Sequence, residues 1–175
     1  MRISCLALLS FLAVSTSVNA AEIRDANRLL RASNVAKQFD AMTLLQTRKI
    51  IRTYTSIVAM SADVELPQWI KQEIAACYKR SFVWDKFEKG IAQIFLENFS
   101  GEEIELLTDF YQSEGLPPTE IANFKIAIAK GEMIQQLSAD YISANSDGCA
   151  QHDTDLILGF LADPQLGKNR TLTSE

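Results

Sequence analysis

Residues 99–113 read Phe-Ser-Gly-Glu-Glu-Ile-Glu-Leu-Leu-Thr-Asp-Phe-Tyr-Gln-Ser, and this stretch decides the fold class. Ser100 and Glu103 have the spacing of a capping box. In it the serine hydroxyl accepts from the backbone N–H of residue 103, and the glutamate reaches back to the N–H of residue 100. Phe99 before the cap and Ile104 at the fourth position have the spacing of a hydrophobic staple. A helix start at Ser100 follows. Gly115 can take the left-handed turn that closes this helix, and Pro117-Pro118 cannot continue it. Phe99, Ser100, Glu103, Ile104, Leu107, Phe110 and Tyr111 are read as residues that serve the fold and do no chemistry. If the Phe110 ring is buried, it is costly to truncate.

Outward from this anchor, apolar residues recur at helical spacing and no stretch alternates with the two-residue period of a strand. A first helix is expected over Ala21 to Ala32, with Leu29 and Leu30 inward. Asn34 can cap a second running to about Met60, with Val35, Phe39, Met42, Leu44, Ile51, Tyr54 and Val58 on its core side. Pro67 suits the first turn of a third, in which Ile70, Ile74 and Cys77 share a face. A fourth begins near Val83 and presents Trp84, Phe87, Ile91, Ile94 and Phe95. Beyond the two prolines, one long helix is expected over Thr119 to Ala144. Ile121, Phe124, Ile128, Ile134, Leu137 and Tyr141 face inward, and Gly131 marks a close approach of another helix. Asp153 is placed to cap a short last helix over Asp155 to Leu161. The sum is an all-α protein, a single bundle of five to seven helices.

The two ends have other duties. Arg2, the apolar run Ile3 to Val14 and the small-x-small site Val18-Asn19-Ala20 make residues 1–20 a cleavable export signal. The run is too short for the roughly twenty residues that span a bilayer. The chain thus divides into a signal peptide (1–20), a helical domain (21–163) and a mobile polar tail (164–175), with a periplasmic destination. Cleavage after Ala20 removes one charge, Arg2, from 17 basic and 22 acidic residues, which takes the net charge from −5 to −6. That excess argues against nucleic acid and anionic membrane surfaces as partners, and no second apolar run is long enough for an integral membrane segment. Cys5 also leaves with the signal. Cys77 and Cys149 remain, which in an oxidising compartment read first as a disulfide and otherwise as two separately buried thiols.

No chemistry stands out. His152 is the only histidine. Cys149-x-x-His152, with Asp147, Asp153 and Asp155, is the densest potential ligand cluster, yet it lacks the repeated His and Cys ligands of a zinc site and the glycine and distal glutamate of a calcium loop. It reads as a polar turn plus a helix cap, so no metal or cofactor is expected. There is no nucleophile elbow and no glycine-rich phosphate loop. Glu102, Glu103, Glu105 and Asp109 lie at a helix start, where acids stabilise the positive end of the dipole. The sequons at Asn98 and Asn169 are read as chance.

The same fifteen residues resemble a motif of a family of secreted, all-helical bacterial proteins classed as a domain of unknown function, F-[ST]-x-x-E-[IL]-x-x-[IL]-x-x-F-Y-x-S. Phe99, Ser100, Glu103, Ile104, Leu107, Phe110, Tyr111 and Ser113 match it, and the aromatic helix from Trp84 to Phe99 is similar to the family's approach to it. The family continues with P-x-G and a basic residue, where this chain has Glu114-Gly115-Leu116-Pro117-Pro118. The resemblance implies an exported helical fold over about Ala21 to Ala144 and carries no activity with it. The favoured function is a non-catalytic interaction module binding another envelope protein through an exposed helix face, with an inhibitor or immunity protein as a special case. The alternative is a carrier holding a small apolar molecule among Phe87, Phe95, Phe110 and Phe124. An enzyme, the third class, needs His152 to meet an acid and a nucleophile in space.

Overall fold

The computed structural model describes residues 20–112, 115–146 and 148–163, so the expected export signal (1–20, apart from Ala20) and the expected polar tail (164–175) lie outside the described residues. Within them the fold is helical, without a strand: α1 (Ala20–Ala32), α2 (Val35–Ala62), α3 (Gln68–Ser81), α4 (Trp84–Asn98), α5 (Gly101–Tyr111), a 3-10 turn (Pro118–Glu120), α6 (Ile121–Ala129), α7 (Gly131–Asn145) and α8 (Cys149–Leu161). The helices α6 and α7 abut at Lys130. Counted together they bring the total to seven, and the all-α bundle stands. None of the described helices is long and apolar enough to cross a membrane.

Local signals act at the boundaries, with corrections. The Ser100 hydroxyl accepts from Glu103 N–H at 3.2 Å, and Ser100 N–H donates to Glu103 Oε2 at 2.7 Å. Asn34 makes no side-chain cap. It takes a left-handed φ of 54° between α1 and α2, a conformation that asparagine tolerates better than most residues. The long helix expected over residues 119–144 is interrupted, because Lys130 N–H bonds to Ala127 O, three residues back, at 3.1 Å. That tightens one turn to 3-10 geometry before α7 resumes. The last helix starts at Cys149 after Gly148, so Asp153 lies inside α8 and caps nothing.

Burial divides the molecule into two lobes, spanned by α2 and in contact where the Tyr78 ring stacks on that of Phe82. In the first, α1 crosses α4 and α5, α7 lies along α4, and α6 lies along α5. Its core contains Leu29, Leu30, Phe87, Ile91, Ile104 and Leu107. In the second, α3 packs between the C-terminal half of α2 and α8, around Val58, Leu66, Ile70 and Ile74. Phe39 anchors α2 in the first lobe, its ring centroid 5.7 Å from that of Trp84 and 5.6 Å from that of Phe87. Val58 anchors it in the second. Between them only Thr47 is buried. A helix of 28 residues is roughly 42 Å long, so its middle bridges the lobes like a strut.

That geometry explains the core positions that face outward instead. Met42 and Leu44 on the strut are 53% and 51% exposed. Ile121, Ile128 and Leu137 are exposed too, while Ala127 and Ile134 are buried. The α6 sequence Ile-Ala-Asn-Phe-Lys-Ile-Ala-Ile-Ala is apolar nearly all round, so its periodicity does not say which face turns inward. Gly131 has open space around it. The close helix approach is at Gly90 of α4, where a Cβ would run into the Tyr141 ring of α7.

Candidate interaction surface and a buried polar cluster

The capping box at the start of α5 is the base of a larger assembly. Lys130, at the α6–α7 break, reaches back to place Nζ 2.7 Å from Glu103 Oε2 and 2.9 Å from the Asn98 carbonyl oxygen. It also lies 5.5 Å from the centroid of the Phe99 ring. The hydrogen bond from Lys130, assisted by that from the Ser100 backbone, holds the Glu103 carboxyl below its ordinary range against the opposing effect of burial. Lys130 was not legible as a partner, since the contact spans 27 residues and no local pattern encodes it. Phe110 and Tyr111 close the helix on the outside. They are 42% and 45% exposed, with the Phe110 ring against Phe124 at 4.6 Å.

Next to this assembly, α5 and α6 enclose an open cleft of about 680 Å³. Glu102, Glu103, Glu105, Asp109 and Glu120 line it together with Leu106 and Ile126, and no basic residue lines it among the described residues. Lys130 neutralises Glu103, whereas the other four carboxylates form no ion pair among the described residues. All four acids expected at a helix start, Glu102, Glu103, Glu105 and Asp109, therefore also belong to a common surface.

The strut presents the opposite character. Leu45, Arg48, Lys49 and Arg52 follow the spacing i, i+3, i+4, i+7, which places them on one face of α2. All four are exposed, and Met42 lies beside Leu45. Arg48, Lys49 and Arg52 form no ion pair among the described residues. Lys37, Arg48, Lys49 and Arg52 are opposed on this helix by Asp40 alone. In a chain of net charge −5, α2 is a basic element.

The second lobe contains a polar cluster that sequence reading missed. Cys77 of α3 and Cys149 of α8 form a disulfide, with Cα atoms 6.0 Å apart, and the Ser81 hydroxyl lies 3.4 Å from Cys149 Sγ. The disulfide reading holds. The polar-turn reading of residues 149–153 does not: they form the first turns of α8, and Asp153 points into the lobe with no exposed surface. Its carboxylate oxygens make no hydrogen bond among the described residues. His152 Nδ1 is 3.6 Å from Oδ1. Tyr54 of α2 and Tyr78 of α3 are the neighbours that interact with the same carboxylate. Burial pushes the Asp153 carboxyl up, with His152 and the two tyrosines partly opposing the shift. Burial and the Asp153 charge push Tyr78 up to about 12 and raise Tyr54 as well.

The aromatic residues named for a ligand cavity do not converge. Phe87 is fully buried against Phe39, Phe82 and Tyr141, Phe95 packs on Phe99, and Phe110 with Phe124 forms a pair at the surface of the other side of the lobe. None of the four lines the acidic cleft or a smaller one of about 230 Å³ between α1, α2 and Trp84. No group of three or more potential metal ligands occurs among the described residues. The Asn98 side chain donates to Ile94 O at 2.7 Å, and Asn169 lies outside the described residues. The chain matches no protein-family model, no curated protein and no solved structure.

Proposed function

We propose that this protein is a non-catalytic helical interaction module of the bacterial envelope, exported by residues 1–20, that docks on another protein through the outer face of α2. The observation that carries the proposal is the strut itself. A helix held at both ends by the two lobes displays Met42, Leu45, Arg48, Lys49 and Arg52 with nothing packed over them among the described residues. Contiguous apolar and charged side chains on a rigid element are what a partner surface requires. The disulfide supports an oxidising compartment, and the family resemblance adds only export and helical fold. An inhibitor or immunity role is the case in which the partner is an enzyme or toxin. The packing of Phe87 into a filled core weighs against a carrier. The bonded state of Cys149 weighs against thiol chemistry at His152.

The test is a photo-cross-linking residue at Leu45, introduced in the exported protein in its native compartment, with adducts identified by mass spectrometry. A discrete adduct that disappears when Arg48→Glu and Arg52→Glu are added is expected. Absence of any adduct, or one indifferent to the charge reversal, overturns the reading.

A further inference from the structure

We infer that the surface which receives the α2 face is the α5–α6 cleft of a second copy of this chain, so that the protein self-associates head to tail. This rests on α2 being a docking face and names its partner. Three features of the two surfaces carry it. They are complementary in charge: Arg48, Lys49 and Arg52 on the strut meet Glu102, Glu105, Asp109 and Glu120 in the cleft, and none of these seven forms an ion pair within its own chain among the described residues. They are complementary in apolar content, since the strut carries Met42 and Leu45 beside its cations and the cleft carries Leu106 and Ile126 beside its acids. They also match in shape, because a single exposed helix is a ridge and the space between two packed helices is a groove.

The geometry within one chain favours a second copy over self-contact. The described residues place the strut between the lobes, with both its face and the cleft open in the same chain. Each copy then offers one ridge and one groove, which makes the contact heterologous. Such contacts either close into a ring or extend into a chain. The contact joins three exposed cations to four carboxylates at the surface, so association is sensitive to salt.

The experiment is sedimentation velocity on the mature protein in 0.01 M salt, where the Debye length is ~30 Å, and in 1 M salt, where it is ~3 Å. Two variants accompany it, one carrying Arg48→Glu with Arg52→Glu and the other Glu105→Lys with Asp109→Lys. Wild type is expected to associate in low salt and to dissociate in high salt. Each variant alone faces like charge with like, and its association is expected to weaken by roughly a hundredfold. The equimolar mixture is expected to associate again, because the acidic strut of one variant then meets the basic cleft of the other. That recovery also shows that both variants are folded. A monomeric wild type in low salt, a variant that associates alone, or a mixture that stays monomeric overturns the inference. If wild type is monomeric while the Leu45 adduct is another protein and responds to the strut reversal, self-association fails and the interaction module stands.

Discussion

Removing the Cys77–Cys149 bond, by Cys77→Ser with Cys149→Ser, tests how the second lobe is held together. The two cysteines are 72 residues apart in sequence. On the chain-entropy model, closing a loop of that size restricts the unfolded state by about 4 kcal/mol. That is a large part of the 5–15 kcal/mol typical of a whole domain. It corresponds to a fall in Tm of roughly 8–16 °C at this chain length. The structure also says where the loss falls first. Only Cys149 and Asp153 of α8 are fully buried, and the helix rests chiefly on α3, with Leu156, Ile157, Phe160 and Leu161 partly buried against the lobe. One of its two buried anchors is thus the cross-link, and the other is a carboxylate without a hydrogen bond. Hydrogen exchange read by mass spectrometry is expected to show α8 losing protection first, then the end of α3, while α4 and α5 retain theirs. A variant with unchanged Tm, or one in which α5 loosens while α8 stays protected, would refute this reasoning.

Asp153→Asn is expected to stabilise the protein by about 1–3 kcal/mol near neutral pH, because it replaces a buried, unpaired carboxylate charge with a neutral amide of the same shape. Its folded pKa is raised, so the native state holds the proton more tightly than the unfolded chain. The penalty is therefore absent below the ordinary value of 3.8 and complete above the folded pKa. Urea titrations should show the gain shrinking to nothing in acid, and a gain that persists there contradicts the assignment. Lys130→Met removes a charged hydrogen bond to Glu103 and should cost about 1–2 kcal/mol, discounted for partial exposure. Ser100→Ala should cost about 1 kcal/mol. A double-mutant cycle by thermal denaturation should find the two coupled, and strict additivity would separate Lys130 from the capping box. Phe110→Ala should cost about 1 kcal/mol, because its ring is exposed. Phe87→Ala should cost roughly 3–5 kcal/mol. Equal losses in chemical denaturation would place Phe110 in the core after all.

Sequence by itself determined the local chemistry. Ser100 and Glu103 cap α5 because their bonds close within three residues, and helix type follows from a repeat that short windows contain. Cys77 and Cys149 could be paired on the expectation that Cys5 leaves with an export signal. Tertiary structure decided the rest, because the deciding contacts join elements far apart in the chain. It chose Gly90 over Gly131 for the close approach, since only the placement of Tyr141 distinguishes them. It brought Lys130 onto Glu103 across 27 residues, and it turned Asp153 from an expected cap into a buried carboxylate between α2, α3 and α8. It also left the centre of α2 uncovered: the apolar pattern of Met42 and Leu44 signals burial, and only the placement of the lobes at the two ends of that helix shows that nothing in the described fold covers them.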